Sequence, residues 1–128
     1  MHTRRPDDEA TCDPKIYSEI NRLIREKCDI VLNNSTGGGS NGDMTRRLRG
    51  DLHEIIFEER LKGADDPLCE MVTFDCHTIM AQFGGRDFLM VTPSYKCTEM
   101  AKYFQKRGVK PRNGKCSASP IFSRIRCA

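Results

Sequence analysis

The stretch from Leu68 to Pro93 reads Leu-Cys-Glu-Met-Val-Thr-Phe-Asp-Cys-His-Thr-Ile-Met-Ala-Gln-Phe-Gly-Gly-Arg-Asp-Phe-Leu-Met-Val-Thr-Pro. Two apolar, β-prone runs flank Gly84-Gly85, and a glycine pair supplies the positive φ that tight hairpin turns need. The stretch therefore predicts an antiparallel hairpin. In its first run Val72, Phe74, Cys76, Thr78 and Met80 alternate with Met71, Thr73, Asp75, His77, Ile79 and Ala81. The even set is the drier one and is expected to face the core. The run is long for one strand, and Asp75-Cys76-His77 marks a bulge or a break. Pro93 ends the second run, because it has no N–H to give the ladder.

Upstream, Met44, Leu48, Leu52, Ile55, Ile56 and Leu61 recur at helical spacing, with Asp43 as a cap and Gly63 as a stop. They predict a helix, although Arg46, Arg47 and Arg49 crowd its first turn against the helix dipole. Before it, residues 33–42 have the composition of a flexible coil with an r.m.s. span of about 17 Å. Two readings stand for this segment, a natural loop and an engineered tether. Its overlapping Asn33-Asn34-Ser35 and Asn34-Ser35-Thr36 triplets match glycosylation acceptors, which only a secreted chain uses. Asp13-Pro14 opens another helix, since Asp caps free N–H groups and Pro suits the first helical position. That amphipathic helix is expected over 13–32, after a disordered polar tail at 1–12.

Downstream, Thr98 stands as the cap of a third helix carrying Met100, Ala101, Tyr103 and Phe104, stopped at Gly108. A basic loop, Lys110 to Lys115, follows, and Ile121 to Cys127 alternates as a last strand. The expected fold is α+β. Two N-terminal helices pack on a small antiparallel sheet built around the central hairpin, with the third helix before the last strand. Residues 43–128 form one domain in this reading.

A chain of 128 residues is long enough for one buried core. It has no apolar run of 18 residues, which excludes a membrane-spanning helix. Its net charge of +3 hides a split. Residues 1–75 hold 11 basic and 16 acidic side chains; residues 76–128 hold 10 basic and 2 acidic. Seven cysteines is an odd number, which favours reduced thiols in an intracellular protein. The polar N-terminus, without a signal-peptide core, agrees.

No catalytic signature stands out. Cys69, Cys76, His77, Cys97 and Cys116 offer ligand types for zinc, but no Cys-x-x-Cys pair exists and the gaps match no zinc pattern. Cys76 and His77 are strand neighbours on opposite faces, so they form no dyad. Gly37-Gly38-Gly39 lacks the Lys-Ser/Thr of a phosphate loop. The reading is therefore a non-enzymatic protein–protein interaction module without metal or cofactor, built around an amphipathic helix in an apolar groove. Its partner is another protein or a helical segment of one. The partner-binding face of the helix is Ile16, Tyr17, Ile20, Leu23 and Ile24. The alternative is an RNA- or DNA-binding protein using Lys102, Lys106, Arg107, Lys110, Arg112, Lys115, Arg124 and Arg126, with Tyr103, Phe104 and Phe122 interleaved for stacking. A third class is a small secreted disulfide-linked ligand.

Overall fold

A computed structural model of the chain describes residues 1–83 and 85–113. In chain order its elements are β1 (Thr3–Arg4), β2 (Ala10–Thr11), α1 (Pro14–Lys27), β3 (Asn33–Ser35), β4 (Thr45–Arg49), β5 (Leu52–Ile55), a 3-10 helix (Glu58–Ala64), β6 (Met71–Phe74), β7 (Ile79–Phe83), β8 (Arg86–Met90), α2 (Ser94–Lys106) and β9 (Lys110–Asn113). β1 and β2 pair with each other. β3, β6 and β9 form a parallel sheet in chain order, and β4, β5, β8 and β7 form a mixed sheet.

The parallel sheet organises the molecule. Asn34 of β3 lies opposite Val72 of β6, and Val72 lies opposite Pro111 of β9. The chain start extends the ladder on the other side. The Met1 amine donates to the Asn33 carbonyl at 2.6 Å, and the Ser35 N–H donates to the Met1 carbonyl at 3.0 Å. Those two bonds bracket Asn34, the pattern of a parallel pair. Pro111 is tolerated because β9 ends the described sheet.

Local chemistry explains the helices. Asp13 accepts from the Lys15 N–H at 2.9 Å, and Pro14 opens α1. Glu70, just ahead of β6, accepts from the Leu32 N–H at 3.0 Å and pairs with Arg25, so it ties the end of α1 to the sheet. α2 buries Cys97, Met100 and Phe104. These meet Val72, Phe74, Cys76, Phe57 and Val109 in one core. Phe74 and Phe104 pack edge to face, with ring centroids 5.5 Å apart.

The expected α+β arrangement of two N-terminal helices on a small antiparallel sheet is overturned. The helix expected over 43–61 is replaced by β4, β5 and the 3-10 helix. Gly50, at φ +55°, turns the chain back between Arg49 and Leu52, and β5 then pairs in parallel with β8. Tertiary pairing wins over helical spacing here, and it also removes the conflict between the arginines and a helix dipole. The basic loop expected at 110–115 begins instead as β9. α2 starts at Ser94, so Thr98 lies inside it and bonds back to the Ser94 carbonyl at 3.1 Å. The hairpin at 84–85 is present: β7 and β8 pair antiparallel, with Phe83 opposite Arg86 and Gly85 at φ +76°. The strand expected at 121–127 lies outside the described residues.

The segments read as tail and coil are structured. Thr3, Thr11 and Cys12 are buried, as are Asn34, Ser35 and Thr36. A Cβ on Gly38 would sit 2.1 Å from the Tyr17 hydroxyl, and one on Gly42 would sit 1.9 Å from the Ala10 carbonyl oxygen. These glycines are present for close approach, not for slack.

Two stability outcomes follow. Phe74→Ala empties a fully buried aromatic site and should cost about 3–5 kcal/mol in chemical denaturation. Gly42→Ala forces backbone apart and should cost about 1–3 kcal/mol. A Gly42→Ala protein that melts with the wild type would show that this loop is loose after all.

Candidate functional site

Parallel strands deliver their carboxyl ends to one rim, the usual place for ligands in such sheets. Three segments reach it here. The chain start brings His2; β3 and its loop bring Ser35, Thr36 and Gly37 to Ser40; β6 brings Thr73 and Asp75. A cavity of about 280 Å³ opens among them. His2, Ser35, Gly37, Ser40, Thr73 and Asp75 line one wall, and Ile55, Ile79, Ala81, Phe88 and Met90 of the mixed sheet line the other. A second hollow shares His2, Gly37 and Ser40 with the first and continues toward Thr3, Arg4 and Ala10.

Hydrogen bonds hold the polar wall in place. The Ser35 hydroxyl accepts from the Gly37 N–H at 3.0 Å, which leaves its own proton for a ligand. Thr36 donates to the Thr73 carbonyl at 2.8 Å and so locks the loop to β6. Tyr17 donates to the Ser35 carbonyl at 3.3 Å. Beneath the rim, Arg60 of the 3-10 helix donates to the Thr36 carbonyl at 3.3 Å, the Asp75 carbonyl at 2.9 Å and the Thr92 hydroxyl at 2.8 Å. Burial lowers the proton affinity of this guanidinium, and the Asp75 carboxylate acts the other way. Burial, then the positive charges of the terminal amine and Arg4, pull His2 below its ordinary 6.5, against Asp75. His2 is thus neutral at pH 7 and has a lone pair to offer.

The outer edge of the glycine loop is fastened by Asp43. It accepts from the Thr11 hydroxyl at 2.6 Å, the Cys12 N–H at 2.7 Å and the Arg5 guanidinium at 2.8 Å. Burial raises its pKa, but those bonds outweigh burial and hold the carboxyl at about 2. Among the described residues, no group of three or more His, Cys, Asp or Glu gathers to hold a metal ion.

The residues singled out in the sequence lie elsewhere. On α1, Tyr17 is buried, Ile16, Ile20 and Ile24 are half-buried and Leu23 is 41% exposed. Tyr17 packs over Gly63 of the 3-10 helix, where a Cβ would lie 3.2 Å from its ring. The chain thus covers part of that face itself. Lys102 and Lys106 are exposed on α2, and Lys110 and Arg112 lie on β9. Arg107 caps the 3-10 helix through the carbonyls of Ala64 at 3.1 Å and Asp65 at 2.5 Å. Lys115, Arg124 and Arg126 lie outside the described residues. None of the described ones lines the cavity. The reading missed His2, Ser35, Thr73 and Asp75. The sequence carries no plain signal for them: Ile30 and Val31, ahead of the glycine-rich loop, are exposed and precede β3 instead of forming it.

Comparison with known proteins identifies the family. Residues 1–116 match the family described as beta-keto acid cleavage enzyme. The chain is 32% identical over 113 residues to the 3-keto-5-aminohexanoate cleavage enzyme of Fusobacterium nucleatum subsp. nucleatum, covering 87% of this chain and 35% of that protein. It is 37% identical over 54 residues to the 3,5-dioxohexanoate:acetyl-CoA acetone transferase of Paraburkholderia graminis, covering 41% of this chain and 17% of that protein. The chain spans about a third of the length of the first relative and less of the second. These matches to enzymes overturn the expectation of a non-enzymatic interaction module, along with its nucleic-acid and secreted-ligand alternatives.

The Asp43 anchor has a pH signature. Its folded pKa is depressed, so its contribution is complete above the ordinary value of 3.8 and is lost as pH falls through about 2. Asp43→Asn lacks this titration. Its stability should decline less steeply than the wild type's as pH is lowered through that window. Parallel acid curves would show that Asp43 carries no linkage.

Proposed function

Because the chain belongs to the beta-keto acid cleavage enzyme family, we propose that the cavity at the strand ends takes a short β-keto acid and serves its cleavage. The observation that carries this reading is the division of the cavity into a polar and an apolar wall. A β-keto acid has the same two sides. Its carboxylate and 3-oxo oxygens need donors; the Ser35 hydroxyl has its proton free to give, while the Ser40 and Thr73 hydroxyls donate to the Gly37 carbonyl and the Asn33 side-chain oxygen and brace the same wall. Its alkyl remainder needs apolar cover, which Ile55, Ile79, Ala81, Phe88 and Met90 provide. The volume is small for a ligand pocket and suits an acid of a few carbons. Both relatives are named for six-carbon acids with an oxo group at carbon 3.

Breaking a carbon–carbon bond beside a ketone gathers negative charge on oxygen. Donors fixed before the reaction stabilise that charge most, since they need no reorganisation. The loop bonds described above keep Ser35 and Thr73 in place. Neutral His2 and the Asp75 carboxylate face the same space and are the groups placed to accept or pass a proton. Among the described residues no helix is long and apolar enough to cross a membrane. The five free cysteines there, four of them buried, support an intracellular, reducing compartment.

Acetoacetate titration followed by NMR tests the site. Amide shifts should concentrate at Ser35, Gly37, Ser40 and Thr73. Ser35→Ala, with unchanged melting, should weaken binding about tenfold, the effect of one hydrogen bond to a charged group. Shifts confined to another surface, or none at saturating ligand, would reject this cavity as the substrate site.

A further inference from the structure

We propose that Arg60 gives the cavity its preference for an anion, by capping the carbonyl ends of β3 and β6 from below. The inference rests on the substrate reading above and assigns the residue that sets its charge selectivity. Arg60 is 1% exposed and lines no part of the cavity, so it acts through the backbone that does. Its three nitrogens meet three neutral oxygens, and among the described residues it forms no ion pair. A buried guanidinium without a carboxylate at contact distance is costly, and an apolar side chain would fill the space at less cost. Such a group is found where its charge is used.

Two of its three acceptors say where the charge is used. The Thr36 carbonyl lies between Ser35 and Gly37, and the Asp75 carbonyl belongs to a residue of the cavity wall. Carbonyl oxygens at strand ends carry the negative ends of their dipoles, which would repel a carboxylate. Arg60 occupies these two oxygens and places a positive charge behind them. The rim then offers the free Ser35 O–H, with the carbonyls that would oppose a carboxylate engaged. The Asp75 carboxylate lies on the same wall and is the largest charge acting on Arg60, whose positive charge opposes its repulsion of an incoming anion. The third bond, to Thr92, joins the segment between β8 and α2 to the other two. Arg60 is thus a positioning residue, and its charge reaches the ligand through Thr36 and Asp75.

The test compares two probes of one shape, acetoacetate and neutral acetoacetamide, on the wild type, Arg60→Gln and Arg60→Lys. The wild type should prefer the anion by about tenfold or more. Arg60→Gln should lose about tenfold of that preference while acetoacetamide affinity stays within about twofold, and Arg60→Lys should recover part of it. Arg60→Gln with the wild-type ratio would make Arg60 a brace only and overturn the proposal. The wild type alone gives a second check, should Arg60→Gln not fold. A buried charge is poorly screened, so the ratio should persist from about 0.05 to about 0.5 M salt. A ratio that collapses with salt would assign the preference to surface arginines and overturn the proposal. Equal binding of both probes removes only the role of Arg60. Binding of neither removes the substrate reading, and this inference with it.

Discussion

At Gly38, Gly39 and Gly42 the backbone between Ser35 and Asp43 runs where there is no room for a side chain. The Tyr17 hydroxyl, the Cys12 N–H, the Asp43 carboxylate and the Ala10 carbonyl all lie within clash distance of a Cβ on Gly38, Gly39 or Gly42. This close approach couples three parts of the chain. It sets α1 against the loop through Tyr17, it holds the β1–β2 arm against the loop through Ala10 and Cys12, and it fixes where Ser35 and Ser40 stand at the rim. The arm in turn carries His2 to the cavity. A looser loop would release the arm, and the polar wall would lose both His2 and the serines together.

The apolar wall has a separate origin. β4 and β5 lie in the connection between β3 and β6; β7 and β8 lie in the connection between β6 and β9. Each connection leaves the carboxyl end of a parallel strand, and each folds into a hairpin. The hairpins join through the parallel pairing of β5 with β8. Two successive loops thus make one sheet across the site. Loops at strand ends commonly carry specificity while the strands beneath carry stability. Here Phe88 and Met90 face the cavity, while Phe74 and Val72 lie in the core behind it.

The parts legible in the sequence were those decided by near neighbours. The Asp13-Pro14 helix start, the β7–β8 hairpin and the inward Val72, Phe74 and Cys76 each depend on a few adjacent residues; the same alternation fails beyond Cys76, where Thr78 and Met80, expected inside, are exposed and Ile79 and Ala81 line the cavity. The parallel sheet was not legible, because its strands are three or four residues long and find partners about forty residues away. Such strands show neither alternation nor a long apolar run. The segment over 43–61 misled for a related reason. Its apolar residues fit a helix, and only the left-handed Gly50 and the remote pairing with β8 decide for a hairpin. Glycine-rich composition misled most of all. Gly-Gly-Gly-Ser describes a slack coil in isolation, and the same letters are required where backbone must pass close to backbone.

The site residues were hidden by that same misreading, since tail and coil are where functional chemistry is least expected. Once the parallel order is known, their roles follow from position. His2, Ser35 and Asp75 come from three successive parallel segments and meet only because those segments are neighbours in the sheet. Their electrostatics are shared as well. The Asp75 carboxylate raises the proton affinity of both His2 and Arg60, against the burial that lowers it. A neutral imidazole, a carboxylate and a buried guanidinium meet here beside the positive terminal amine and Arg4. A carboxylate entering from the apolar side then meets the free Ser35 hydroxyl, with the Thr36 and Asp75 carbonyls already bonded to Arg60. The fold achieves this with strands too short to be stable by themselves, held in register by a loop that has no room for a side chain at Gly38, Gly39 or Gly42.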